Sequence, residues 1–295
     1  MNELHLHIDG SLRPSTLKEL RPDIDVVNFG FRKGMGLQKA LDMFKVTVEA
    51  INSPRVLERI TREICEDLRE DGVEMGELRF APHIHGCNAL EMVEAASDGL
   101  QETDGLILCG LYGDHPRVFE ELVSIASRNK RVLGIDIAGG PLPDHKYGLL
   151  DYAPAFQEAK KRLIPRTAHL SEGRRVDEII TAIQYLDVDR IGHATSLLSS
   201  NVAVEMVKAK SIVIEACPTS NVHTGIFENV GEHPIREWIK RGVKVAVCCD
   251  NTLMSRTTTQ QEIVRLLREC KLQESDIQWI NKSSVDGKFY RYLDS

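Results

Sequence analysis

Eight short runs of β-branched and apolar residues recur along the chain, each closing on polar or glycine-rich residues. They are ELHLHIDG (3–10), GELRFAPH (76–83), GLILCGLYG (105–113), RVLGIDIAGG (131–140), IPRTAHLSEG (164–173), RIGHATSL (190–197), SIVIEACPTSN (211–221) and KVAVCCDN (244–251). From the second run onward their starts stand roughly 20 to 35 residues apart, the length of one strand, one helix and two short loops. Amphipathic stretches fill the spaces. PRVFEELVSIASRNK (116–130) brings Val118, Leu122, Ile125 and Ala126 near one face, and RVDEIITAIQYL (175–186) does so with Ile179, Ile180, Ile183 and Leu186. Such alternation predicts parallel strands joined by right-handed crossovers. A doubly wound sheet would alternate too. Eight units of similar size, with no glycine-rich phosphate loop after the first, favour a closed (β/α)8 TIM barrel of the α/β class.

One interval breaks the beat. Residues 11–75 separate the first two runs and hold two helical patterns, GLQKALDMFKVTVEAI (36–51) and PRVLERITREICEDLRED (54–71). A barrel needs one helix there. The surplus is expected as a helical insertion capping the C-terminal mouth, where loops carry active sites. No linker divides the chain, so residues 1–295 are expected to form a single domain.

Composition narrows the function. The 295 residues fit one barrel of about 250 with a cap. With 37 Lys+Arg against 44 Asp+Glu, the net charge of −7 gives no electrostatic reason to bind nucleic acid or an anionic membrane. No apolar run approaches the roughly 18 residues of a membrane helix. The opening MNELHLHIDG has no basic segment followed by an apolar stretch, so a secretory signal is not expected. Seven cysteines without C-x-x-C pairs disfavour a disulfide framework and a zinc ribbon. The composition describes a soluble, reduced, cytoplasmic globular protein.

The candidate chemistry begins with His5-x-His7. Side chains at i and i+2 share one side of a strand, so both imidazoles can face one metal, and Asp9 continues that side. Alone the pair is also compatible with two hydrogen-bonded histidines. A second pair, His83-x-His85, follows a strand and a proline and reads as loop surface. The first pair has company: His169 with Glu172, His193, and Asp250 all end later runs, and in a barrel those ends converge. Imidazole and carboxylate suit zinc, with a position left for water. Each residue has a plainer alternative: a core histidine for His169, a first-turn carboxylate for Glu172, a carbonyl-bonded His193, an Asp250–Asn251 pair capping the final helix. Together, at one end of one architecture, they point to a single site. Cys217, Cys248 and Cys249 read as ordinary buried residues.

These motifs resemble the adenosine and adenine deaminase family of the amidohydrolase superfamily. HLHIDGSL, GELRFAPH, GIDIAGG, RTAHLSE, RIGHA, EACPTSN and CCDN fall in the family's order nearly end to end. The resemblance implies a zinc-dependent aminohydrolase with one Zn2+ per chain, held by His5, His7, His169 and Asp250. It implies Glu172 as proton donor to a purine ring nitrogen, and His193 as the residue that positions and deprotonates the water on the metal. Asp250 joins these two in the catalytic group. His7, Asp9, Gly139 and Asn251 match positions facing the substrate. The fourth strand lacks the lysine that binuclear relatives carbamylate, which fits one metal.

The implied reaction is hydrolytic deamination of an adenosine-like 6-aminopurine nucleoside, releasing ammonia. Three departures bear on the substrate: Asn251 stands where many relatives have a second aspartate, HLSE and TSNV resemble the branch acting on N6-substituted AMP or adenine, and residues 11–36 are short. The same chemistry on N6-substituted AMP, adenine or an aminofutalosine-like nucleoside is the alternative, as is a catalytically silent purine-binding protein. A phosphate would want cations at the mouth, for which Arg13, Arg32, Lys33, Arg174 and Arg175 are candidates.

Overall fold

Each of the eight runs contains a strand in the computed structural model, which describes residues 1–289. They are β1 (Asn2–His7), β2 (Met75–Phe80), β3 (Gly105–Leu111), β4 (Val132–Ala138), β5 (His169–Leu170), β6 (Arg190–His193), β7 (Val213–Ala216) and β8 (Lys244–Val247). All pair in parallel, β1 to β4 in one ladder and β5 to β8 in another. Single bridges, Ile135 with Arg166 and Leu6 with Asp250, join the ladders at both seams and close the barrel. The strands are buried on both faces because helices cover the outside and neighbouring side chains fill the inside.

The outer layer runs α1 (Pro14–Leu20), α2 (Leu37–Ala50), α3 (Pro54–Glu70), α4 (Ala89–Gly99), α5 (Pro116–Arg128), α6 (Leu149–Lys161) and α7 (Asp177–Thr181). It continues with α8 (Asn201–Ala209), α9 (Pro218–His223), α10 (Ile235–Lys240), α11 (Thr252–Ser255), α12 (Thr259–Glu269) and α13 (Glu274–Asp286). Helix α3 buries Leu57, Ile60, Ile64 and Leu68, a spacing of three and four, and packs on α4 and β2. That leaves α2 over the mouth, where its Leu37, Leu41, Phe44 and Val48 line the central cavity. Among the described residues no helix is long and apolar enough to cross a membrane.

The structure departs from the expected runs in three places. The seventh strand stops at Ala216, because Pro218 opens α9; a proline suits the first turn, where no N–H partner is needed. The fifth ladder is only two residues long, ended by Ser171 in the left-handed region at φ 55°. The second histidine pair is not loop surface. Pro82–Ile84 is a turn of 3-10 helix, His83 Nε2 lies 2.9 Å from Asp114, and His85 is buried near Phe80.

The barrel interior is not wholly apolar. Arg79 and Arg190, both buried, bridge Asp136, Glu77 and Glu215: Arg79 donates to Asp136 at 2.8 Å and Glu215 at 3.0 Å, while Arg190 meets Glu77 and Glu215 at 2.6 Å each. This ionic layer lies under the site described next.

Candidate active site

Strand ends place every chemical group. His5 and His7 share a side of β1, His169 opens β5, His193 ends β6, and Asp250 follows β8. The backbone is strained where it turns these side chains inward: His193 (φ 64°), Ala194 (φ 50°) and Asp250 (φ 64°) all adopt the left-handed region. Each such residue costs about 1–3 kcal/mol, so its surroundings must hold it. The Asp250 N–H donates to His5 O at 3.0 Å and its carbonyl accepts from His7 N–H at 2.7 Å; the Ala194 N–H reaches Leu170 O at 3.0 Å.

Five donor groups converge. Asp250 Oδ1 lies 3.5 Å from both His5 Nε2 and His7 Nε2, and His7 Nε2 is 3.1 Å from His169 Nε2. One ligand atom each from His5, His169, His193 and Asp250 fall within 4.8 Å of one another. Behind this cluster, His5 Nδ1 meets Glu215 Oε2 at 2.6 Å and His169 Nδ1 meets Asp136 Oδ2 at 3.1 Å. A carboxylate on one ring nitrogen fixes the hydrogen there and turns the other nitrogen's lone pair inward. His5 Nε2 is buried and has no hydrogen-bond partner among the described residues, as a metal ligand would. Ser220 Oγ donates to Asp250 Oδ2 at 2.5 Å, which leaves Oδ1 facing the imidazoles.

Burial dominates the electrostatics. It drives His7 and His193 well below the usual histidine range, keeping them neutral. Burial opposes charge on Asp250 too, but the adjacent imidazoles of His5 and His7 outweigh it and hold that carboxyl well below the usual range. Glu172 goes the other way: burial, helped by the Asp250 charge, raises it to about 7. The arrangement thus offers neutral imidazoles and a carboxylate to a cation, beside a carboxylic acid protonated near neutrality.

These groups floor a cavity of about 450 Å³ with an apolar roof that includes Phe31 and the α2 side chains. His7, His169, Glu172, His193 and Asp250 line it, and His5 lies just beneath. Asp9 lines it as well: it is buried, its Oδ1 lacks a partner among the described residues, and burial raises its carboxyl to about 7. Gly139, at φ +75°, adds a wall where a Cβ would meet open space. Asn251 is buried at the same floor. Its side chain makes no cap bond to α11; instead its Oδ1 accepts from Ser255 Oγ at 2.6 Å.

None of the five cations nominated for a phosphate lines this cavity, although Arg174 lies against its wall, over the Tyr112 ring and donating to His169 O at 3.3 Å. Arg13 is bound by Asp67, Lys33 by Glu228, Arg174 by Glu178 and Arg175 by Asp177. Beyond the cluster histidines, the basic side chains on the cavity are His145 and Lys45, the latter paired with Asp42 at 3.0 Å. Sequence reasoning missed the partners Glu215, Asp136, Ser220 and Asn221. Their signal was present for two: an acid inside the apolar strands IDIA and IVIEA is rarely buried without a task.

The adenosine deaminase family model matches residues 1–292. An adenosine deaminase of Clostridium botulinum strain 657 is 32% identical over 97% of this chain and 93% of its own length. The N6-methyl-AMP deaminase of Arabidopsis superposes with a TM-score of 0.87 at 25% identity, over 99% of this chain and 93% of that one. An adenine deaminase of Arthrobacter aurescens shares the fold, with a TM-score of 0.88 at 20% identity over 99% and 94%. This chain is a member of the adenosine deaminase family of metal-dependent hydrolases, which deaminate adenine-type substrates.

Proposed function

We propose that the protein hydrolyses the exocyclic amine of a 6-aminopurine nucleoside in the cytoplasm, with one zinc ion held by His5, His7, His169 and Asp250. The observation that carries this reading is the meeting of converging imidazoles and Asp250 Oδ1 with a protonated Glu172 on one cavity floor. Three imidazoles and one carboxylate suit zinc and leave room for water. Such an ion lowers the pKa of a water from 15.7 to near 7, so that a nucleophile is available at neutral pH.

The remaining work falls to the chain. Glu172 delivers its proton to a ring nitrogen, so the adjacent ring carbon can accept the water oxygen. His193 Nε2, 3.9 Å from Glu172 Oε2, holds that water. Asp9, Gly139 and Asn251 orient the substrate, and the apolar roof excludes bulk water. Residues 11–75 carry that roof through α2 within a single domain.

A nucleoside is favoured because Asp9 Oδ1, without a hydrogen-bond partner among the described residues, can accept from a sugar hydroxyl and offers a phosphate no cation. A nucleotide such as N6-methyl-AMP is the second reading, supported by Lys45 and His145 at the cavity. Ammonia release from adenosine, adenine and AMP, and methylamine release from N6-methyl-AMP, test both, alongside metal analysis. Adenosine is expected to turn over fastest. No amine released from any of the four with metal-loaded protein would end the reading.

A further inference from the structure

The histidines of the cluster differ in what stands behind them. Glu215 and Asp136 back His5 and His169; an ionised carboxylate only accepts, so each of those rings carries its hydrogen on Nδ1. Behind His193 stands an amide. Asn221 Nδ2 lies 3.1 Å from His193 Nδ1, and both residues are buried. Asn221 sits within α9 and is fixed there by its own backbone, whose N–H donates to Cys217 O at 3.0 Å and whose carbonyl accepts from Ile226 N–H at 3.0 Å.

We propose that Asn221 is a positioning residue that keeps His193 in the Nε2–H form, so that this imidazole meets the attacking water as a donor while its neighbours meet the metal with lone pairs. An amide N–H can donate only to a ring nitrogen without hydrogen, and a neutral imidazole has one hydrogen to place. That hydrogen is then on Nε2, on the Glu172 side. With the amide turned over, Oδ1 would accept from the ring and both amide N–H groups would be buried without an acceptor. Orphaned buried N–H groups are rarer than orphaned carbonyls, and in the orientation seen one amide N–H has its acceptor in His193 Nδ1, whereas the turned amide would leave both without one.

The proposal rests on the deaminase reading and changes one role within it. In the Nε2–H form His193 holds the water by donation and cannot take its proton. The proton goes to the Asp250 carboxylate, whose Oδ2, held by Ser220 Oγ, is turned away from the imidazoles. As the water oxygen bonds to the ring carbon, Glu172 protonates the ring nitrogen; Asp250 then passes its proton to the amine, the C–N bond breaks and ammonia leaves. The new hydroxyl returns its proton to Glu172 as the ring carbonyl forms.

The test is long-range 1H–15N correlation on zinc-loaded protein labelled with 15N-histidine, with His193 assigned by its absence from His193→Gln. The expected spectrum shows His193 in the Nε2–H form and His5 and His169 in the Nδ1–H form. Asn221→Asp, which can only accept when ionised, is expected to switch His193 to Nδ1–H while zinc content stays at wild-type level and kcat falls about 10- to 100-fold. An Nδ1–H pattern at His193 in the wild type overturns the proposal, even if Asn221→Asp does not fold. So does an unswitched, fully active Asn221→Asp. The tautomer is read without turnover, so a failure of the deaminase reading itself would show separately, as absent ammonia release.

Discussion

Glu215 Oε2 lies 2.6 Å from His5 Nδ1, and the same carboxylate receives Arg79 and Arg190, so one buried acid joins a histidine of the proposed metal site to the ionic layer of the barrel. Burial opposes its charge, but the two guanidiniums outweigh that and hold it well below the usual carboxylate range. Glu215→Gln keeps the shape and removes the charge. Breaking a buried ion pair from one side costs about 3–5 kcal/mol, and outer partners of metal ligands are worth about 10- to 100-fold in affinity. Thermal melting and chelator competition should therefore both shift. Wild-type values in both would detach Glu215 from the site.

His5→Ala and Asp250→Ala should each lose zinc and activity together. Either change removes one of four proposed ligands outright, a larger insult than disturbing an outer partner. Metal analysis of the purified variants checks this, and full occupancy in both would take these residues out of the ligand set.

Glu172→Gln should retain zinc while kcat falls at least about 100-fold, since glutamine has the shape but no proton to deliver. The pH dependence follows from the raised carboxyl. The folded protein favours the protonated form, so kcat/KM should decline as pH rises through about 7. The stability associated with that preference is present below 4.5 and is lost between 4.5 and about 7. Glu172→Gln should then melt above the wild type at pH 8 and close to it at pH 5. Coincident melting curves at both pH values would contradict the raised carboxyl.

Asn251→Asp tests how the ring is read. Ser255 occupies Oδ1, so the amide turns its N–H side to the cavity; a carboxylate there offers only an acceptor unless protonated. A buried group left unpaired costs about 1–3 kcal/mol, or roughly 5- to 150-fold in rate. Relative kcat/KM among adenosine, adenine and N6-methyl-AMP should shift by at least about 5-fold, with zinc content unchanged. An unaltered substrate ranking would refute a reading role for Asn251.

The fold was legible because apolar runs recur at the βα interval, and the floor of the site because its groups end those runs. What surrounds them was not. Glu215 and Asp136 sit inside strands whose alternation says only that they are buried, and nothing local says that His5 and His169 are their partners across the barrel. Residues that meet only after closure leave no periodic trace. Ion pairing was hidden for the converse reason: Arg13 and Arg175 look free in sequence, whereas Asp67 and Asp177 engage them in space. His85 read as surface because a turn after proline is usually exposed, yet here the turn folds back onto Phe80.

The ionic layer also limits how the barrel can be divided. A fragment ending after β4 would retain Arg79 with Asp136 but strand Glu77 without Arg190, and the complementary fragment would hold Glu215 with only one of its two guanidiniums. Each half would carry buried charge that only the other half can neutralise. The two four-stranded ladders are therefore not independent folding modules, and their assembly is cooperative because neither is electrically complete alone.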